Sequence, residues 1–126
     1  MHDIRTGDTW RSDKGGRIVT VVPKSEYRGY GDVRDSRDVA YRGVTGAVMI
    51  ALAVNFLRGR KLIERGGVRV GDVRAMGKAS TLRVLSIAGD NAECDDHPVR
   101  ARSVLIPLEF VAAMPLLTRD GKEVTP

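Results

Sequence analysis

The stretch Ile4-Arg5-Thr6-Gly7-Asp8-Thr9-Trp10-Arg11 returns 64 residues later as Val68-Arg69-Val70-Gly71-Asp72-Val73-Arg74-Ala75. In both places a β-forming residue and an Arg lead into Gly-Asp, and another β-former follows. This is how a strand enters a tight turn: Gly supplies a backbone angle other residues avoid, and the Asp side chain hydrogen-bonds back to the main chain. The echo reads as an internal repeat and as scaffold. Asp8 and Asp72 are expected to cap their own turns, not to meet as a pair of catalytic carboxylates.

Working outward, the repeat divides 126 residues into halves of about 60, each near the lower limit for an independent core. The halves are therefore expected to pack as one compact body, residues 1–66 and 67–126, with Gly66-Gly67 as the hinge. Hydrophobic residues make up 42% and charged residues 29%, a globular composition. Aromatic residues are only 5%, so the core must be largely aliphatic.

Arg17-Ile18-Val19-Thr20-Val21-Val22 is the strongest strand signal, dense in β-branched residues and stopped by Pro23. Asp13 to Gly16 reads as the turn before it. Lys24 to Asp38 is polar and without apolar period, an exposed loop or hairpin tip. Val39 to Arg42 reads as a strand and Gly43 to Gly46 as a turn. Ala47 to Leu57 suits a buried helix by length, yet it has no polar face. Its match in the second half, Val104-Leu105-Ile106-Pro107-Leu108, contains a proline that a helix interior excludes. Both segments are expected to begin as strand and turn helical at about Ala53–Leu57 and Glu109–Ala113, with Phe56 aligned on Phe110 and Leu62-Ile63 on Leu116-Leu117. The remaining second-half signals are a strand over Thr81–Ile87, a tight hairpin at Gly89-Asp90-Asn91, a turn at Asp95–Pro98, and a frayed polar tail from Asp120.

Five short strands per unit, with a helical turn before the last, is the pattern of a small SH3-like barrel. The expected fold is mainly β: two tandem SH3-like small barrels related by the internal repeat. The Arg-x-Gly-Asp motif, Thr81-Leu82-Arg83-Val84, and Arg102-Ser103-Val104-Leu105-Ile106-Pro107-Leu108-Glu109-Phe110 resemble small SH3-like β-barrel proteins of actinobacteria and their phages. The likeness covers Val68 to Phe110 and, more loosely, the first unit through Trp10-Arg11-Ser12-Asp13 and Gly16-Arg17. The family's usual single barrel differs from the doubled one here. The resemblance implies a phage or mobile-element origin and no activity.

Charge separates the halves. The chain carries a net +5, all of it within residues 1–66, while residues 67–126 are neutral. Among basic residues 16 are Arg and 5 are Lys, which suits bidentate phosphate recognition but is also what a GC-rich genome encodes. The first half holds five of the six aromatic residues, Trp10, Tyr27, Tyr30 and Tyr41 among them, and the second has Arg74 where Trp10 stood. The candidate site is a basic and aromatic surface on the first unit, made by Trp10, Arg11, Arg17, Arg28, Tyr30, Arg58, Arg60 and Lys61, with Lys14 nearby. Arginines would take the phosphates of a nucleic acid or nucleotide and rings would stack on bases. A competing expectation is that Trp10 plugs the barrel and Arg58 to Lys61 is a solvated turn.

No catalytic set stands out. His2 and His97 have no evident partner, and Cys94-Asp95-Asp96-His97 is too compact for a tetrahedral metal site. The glycine pairs precede no phosphate loop. A non-enzymatic binding protein without cofactor is therefore expected. The alternative is an interaction or assembly module, associating with itself or with a host or phage protein through aliphatic surface in 47–57 and 104–117. One cysteine excludes an internal disulfide, and the N-terminus is not signal-like, so a cytoplasmic location in the producing or infected cell is expected. The longest uncharged runs fall short of the roughly 20 residues of a membrane helix, so no membrane partner is expected.

Overall fold

A computed structural model describes residues 3–27, 38–78, 80–97 and 103–124. The chain is mainly β. In order it forms β1 (Thr9–Ser12), β2 (Ile18–Val22), a single 3₁₀ turn (Lys24–Glu26), β3 (Asp38–Arg42), β4 (Val48–Leu52), α1 (Ala53–Leu57), β5 (Arg60–Arg65) and β6 (Val68–Arg69). The plan then repeats with β7 (Val73–Met76), β8 (Ser80–Ala88), β9 (Asn91–His97), β10 (Ser103–Pro107), α2 (Leu108–Ala113), β11 (Leu116–Arg119) and β12 (Lys122–Glu123). The two six-stranded sheets have the orders β4-β3-β2-β1-β5-β6 and β10-β9-β8-β7-β11-β12, one being the other shifted along the chain. The chain divides into two compact units between Leu62 and Ile63, within β5.

The Gly-Asp echo is reproduced bond for bond. Gly7 and Gly71 adopt φ of 93° and 94°, the region where a Cβ is unfavourable. Their N–H groups donate to Val21 O and Val84 O, both at 2.8 Å. Asp8 Oδ2 accepts the Arg5 N–H at 2.8 Å and Asp72 Oδ2 the Arg69 N–H at 3.0 Å, so each carboxylate holds its own turn closed.

Strand pairing carries the correspondence through the core. Trp10 opposes Val19 as Arg74 opposes Leu82, and Val21 opposes Tyr41 as Val84 opposes Cys94. The first unit's cluster of Trp10, Val19, Val21, Val39, Tyr41, Ala53 and Phe56 is thus answered by Arg74, Leu82, Val84, Ala92, Cys94, Leu108 and Val111, every one buried. In the first unit Phe56 is fully buried between Trp10, edge-on at 5.6 Å, and Tyr41 at 5.2 Å.

The ambiguous 47–57 segment is strand and then helix, divided at Leu52. Several details differ from expectation. Phe56 is the fourth residue of α1 and is matched by the fourth of α2, the fully buried Val111; Phe110 is 57% exposed. Gly66-Gly67 is the two-residue turn of the β5–β6 hairpin, both residues having positive φ. Asp120-Gly121 makes the same turn between β11 and β12, so the tail expected to fray is paired as far as the Val124 N–H bond to Leu117 O. β9 runs on to His97, where a turn was expected at Asp95, because its pairing with the long β8 continues to Thr81.

Candidate functional site

In the first unit, the β1–β2 turn and the β3–β4 turn border an open groove of about 800 Å³. Lys14 and Arg17 come from the first turn, Val44 and Thr45 from the second, Tyr41 and Met49 from the adjoining strands, and Arg60 from the start of β5. Local chemistry explains the walls. Gly15 and Gly16 have φ of 80° and 62°, letting the chain reverse within a few residues, and the Ser12 N–H closes the turn on Arg17 O at 2.8 Å. Gly46, φ 84°, serves the second turn and donates to Gly43 O at 3.1 Å.

Three cations line this groove and, among the described residues, no carboxylate does. Among the described residues Lys14, Arg17 and Arg60 have no acidic partner, whereas Arg42, outside the groove, is paired with Glu26 at 2.9 Å. Arg60 is held in place from behind. Its Nη1 donates to Phe56 O at 2.8 Å, satisfying a carbonyl at the end of α1, and its guanidinium lies 4.7 Å from the Phe56 ring centre and 5.2 Å from that of Tyr41. A guanidinium already pinned in this way loses little entropy on meeting an anion.

The sequence-derived site residues are thereby sorted. Arg17 and Arg60 meet at the groove. Arg11, Arg58 and Lys61 are exposed but do not line it. Trp10 is a correction to the sequence reading: it is 7% exposed and packed against Phe56, because β1 turns Trp10 inward and Arg11 outward, so its ring cannot stack on a base. Tyr41 is also buried, showing the groove little of its ring. Arg28 and Tyr30 lie outside the described residues. Lys14, named beside the candidate surface, lines the groove, whereas Thr45 and Met49 were not singled out, although two glycine-rich turns bracketing the β2 and β3 strands were a visible signal for such a cleft.

The equivalent core position in the second unit holds a different device. Arg74, 4% exposed, donates from Nη1 to Met114 O at 2.9 Å and Ala112 O at 3.3 Å, and from Nη2 to Gly67 O at 2.9 Å and Asp72 Oδ2 at 3.3 Å. Arg119 adds two bonds to the Asp72 carboxylate, at 3.0 and 2.9 Å, and one to Gly67 O at 2.9 Å. Burial alone would raise the Asp72 pKa, but the Arg119 hydrogen bond, the Arg69 N–H and the two guanidinium charges outweigh it and hold the carboxyl below its ordinary value. These arginines are consumed internally. The difference between Trp10 and Arg74 is thus one of core construction.

Cys94 is buried, makes a long contact of 3.7 Å to Ala92 O, and its thiol is pushed up to about 11 by burial and then by Glu93. Among the described residues no cluster of three or more His, Cys, Asp or Glu has the arrangement to hold a metal ion. No helix among them is long and apolar enough to cross a membrane. No family model, curated protein or solved structure matches the chain.

Proposed function

We propose that the first unit is a binding module for the phosphodiester backbone of nucleic acid, gripped in the groove by Lys14, Arg17 and Arg60. The observation that carries this is the meeting of those cations, with no carboxylate among the described residues, in a concavity of about 800 Å³, within the size range of small-ligand sites. The exposed Ile18, Val44 and Met49 along the same groove give bases or sugars an apolar rim. With Trp10 and Tyr41 in the core, recognition rests on phosphate charge more than on aromatic stacking. The second unit acts as support. Each unit is read as an SH3-like small barrel, on the strength of a four-strand meander, one helical turn, and a fifth strand returned to the side of the first.

Fluorescence anisotropy with a labelled single-stranded oligonucleotide across a salt series tests the reading. Three phosphate contacts give a slope of log affinity against log salt of roughly −2, and Arg17→Ala or Lys14→Ala each reduces it by about 0.7. Absence of binding at low salt, or a slope unchanged in both variants, would sink the proposal. A second reading, self-association, is favoured by the exposed Met49 and Leu52 on the uncharged edge strand β4.

A further inference from the structure

The two sheets end on equivalent edge strands, β4 and β10, and these edges differ in one decisive residue. The direction of each backbone group follows from the hydrogen bonds. Val21 donates to Asp8 O at 2.9 Å and accepts from Gly7 at 2.8 Å, so its main-chain groups face the β1 side. Alternation along an antiparallel ladder then turns Thr20 and Val22 toward Arg42 and Ala40 of β3, and turns Val39 and Tyr41 toward Ala51 and Met49 of β4. Val48, Ile50 and Leu52 are left with N–H and C=O directed away from the sheet.

In the second unit the Leu108 N–H bond to Asp90 O, 2.8 Å, fixes the same parity and leaves Ser103, Leu105 and Pro107 facing outward. Pro107 has no N–H to offer, and its ring stands where an incoming strand would pair. Proline at an outward position is a recognised means of blunting a sheet edge. Leu52 occupies the corresponding place, immediately before the helix, with nearly the same backbone: φ −63°, ψ 142° against −55°, 139°. The second unit's edge is blunted, and among the described residues no strand pairs with the outer side of the first unit's β4.

We propose that β4 is a homodimerisation strand, pairing antiparallel with β4 of a second copy about Ile50. The edge is self-complementary. Its central residue is one of the outward-facing ones, so a two-fold axis places Ile50 against Ile50 and Val48 against Leu52, giving all three outward residues a partner and closing the assembly at two copies. Val-Met-Ile-Ala-Leu carries no charge in a chain of net +5, so two copies meet here without setting like charges opposite each other. Met49 and Leu52, 52% and 40% exposed, supply apolar area to cover. The inference does not rest on anion binding in the groove, although Met49 borders both surfaces.

Sedimentation velocity on the full chain over a concentration series tests it. The wild type is expected to show a monomer–dimer equilibrium. Leu52→Pro, whose backbone angles already suit proline, raises the dimer dissociation constant on the order of tenfold by removing an edge donor, while Leu52→Ala, which keeps the N–H and loses only side-chain area, raises it distinctly less. Ile50→Lys sets ammonium against ammonium at the axis and abolishes the dimer, deciding the matter if Leu52→Pro folds poorly by circular dichroism. A wild type monomeric at every concentration overturns the proposal, as does a dimer that Ile50→Lys leaves intact.

Discussion

Replacing Arg74 separates two accounts of a buried arginine: filler of a site that holds tryptophan in the first unit, or donor to the end of a short helix. The bonds allow the cost to be worked out. Gly67 O and the Asp72 carboxylate keep Arg119 as a donor if Arg74 is lost, at 2.9 to 3.0 Å. Met114 O and Ala112 O have no such second arginine, so the loss concentrates on two carbonyls at the end of α2. Ala112 is exposed and Met114 half-buried, so water takes over part of this acceptance; with about 1–3 kcal/mol for a buried polar group left unsatisfied, added to the packing lost around the buried Arg74 side chain, Arg74→Ala costs about 3 kcal/mol. Arg74→Met restores much of the volume and none of the donors, and costs about 2 kcal/mol on the same reasoning. Urea denaturation followed by far-ultraviolet circular dichroism gives the free energies, and amide exchange in β8 and β9 assigns them to the second unit. If Arg74→Met falls within about 0.5 kcal/mol of wild type, the side chain is filler and the capping argument fails.

Two further predictions follow from the same unit. The folded pKa of Asp72 is held below 3.8, so the unfolded chain binds its proton first; the stability this carboxylate contributes is present above pH 3.8 and lost as pH falls through the lower folded value. Asp72→Asn should therefore flatten the acid limb of an unfolding titration, and an acid limb as steep as the wild type's would count against the network. The Cys94 thiol, raised from 9.0 to about 11 by burial and then by Glu93, should resist an aromatic disulfide reagent in mildly alkaline buffer and react only as the unit opens. A rapid burst of labelling on the folded protein would contradict its burial.

What was legible in the sequence was what the backbone itself demands within a few residues. Gly7-Asp8 and Gly71-Asp72 announce their turns because few other residue pairs adopt that geometry and cap it too. Ala47 to Leu57 was decided by Pro107, through a steric rule that no tertiary contact can cancel. The failures came where one geometric role was filled by unlike residues. Asp120-Gly121 repeats the turn of Gly66-Gly67, but only the φ values reveal it; by composition the segment reads as a polar tail. Phe110 was matched to Phe56 on residue type, whereas burial follows position in the helix and selects Val111.

Trp10 is the sharper case, because the same substitution that pointed toward a site turns out to build a core. In the first unit three aromatic rings pack together and Arg60, from the following strand, reaches over them to the helix-end carbonyl of Phe56. In the second unit the rings are replaced by Arg74, Cys94 and Val111, and Arg74 reaches the helix-end carbonyls from within. Each short helix needs a donor at its end, and each unit supplies one arginine; they differ in which side of the helix it comes from. That choice has a consequence at the surface. An arginine arriving from β5 lies over Tyr41 and Phe56 and lines the groove with Lys14 and Arg17, while one arriving through the core spends its Nη donors on carbonyls and Asp72. The repeated framework therefore places a fixed cation at the groove of one unit and keeps its counterpart inside the other.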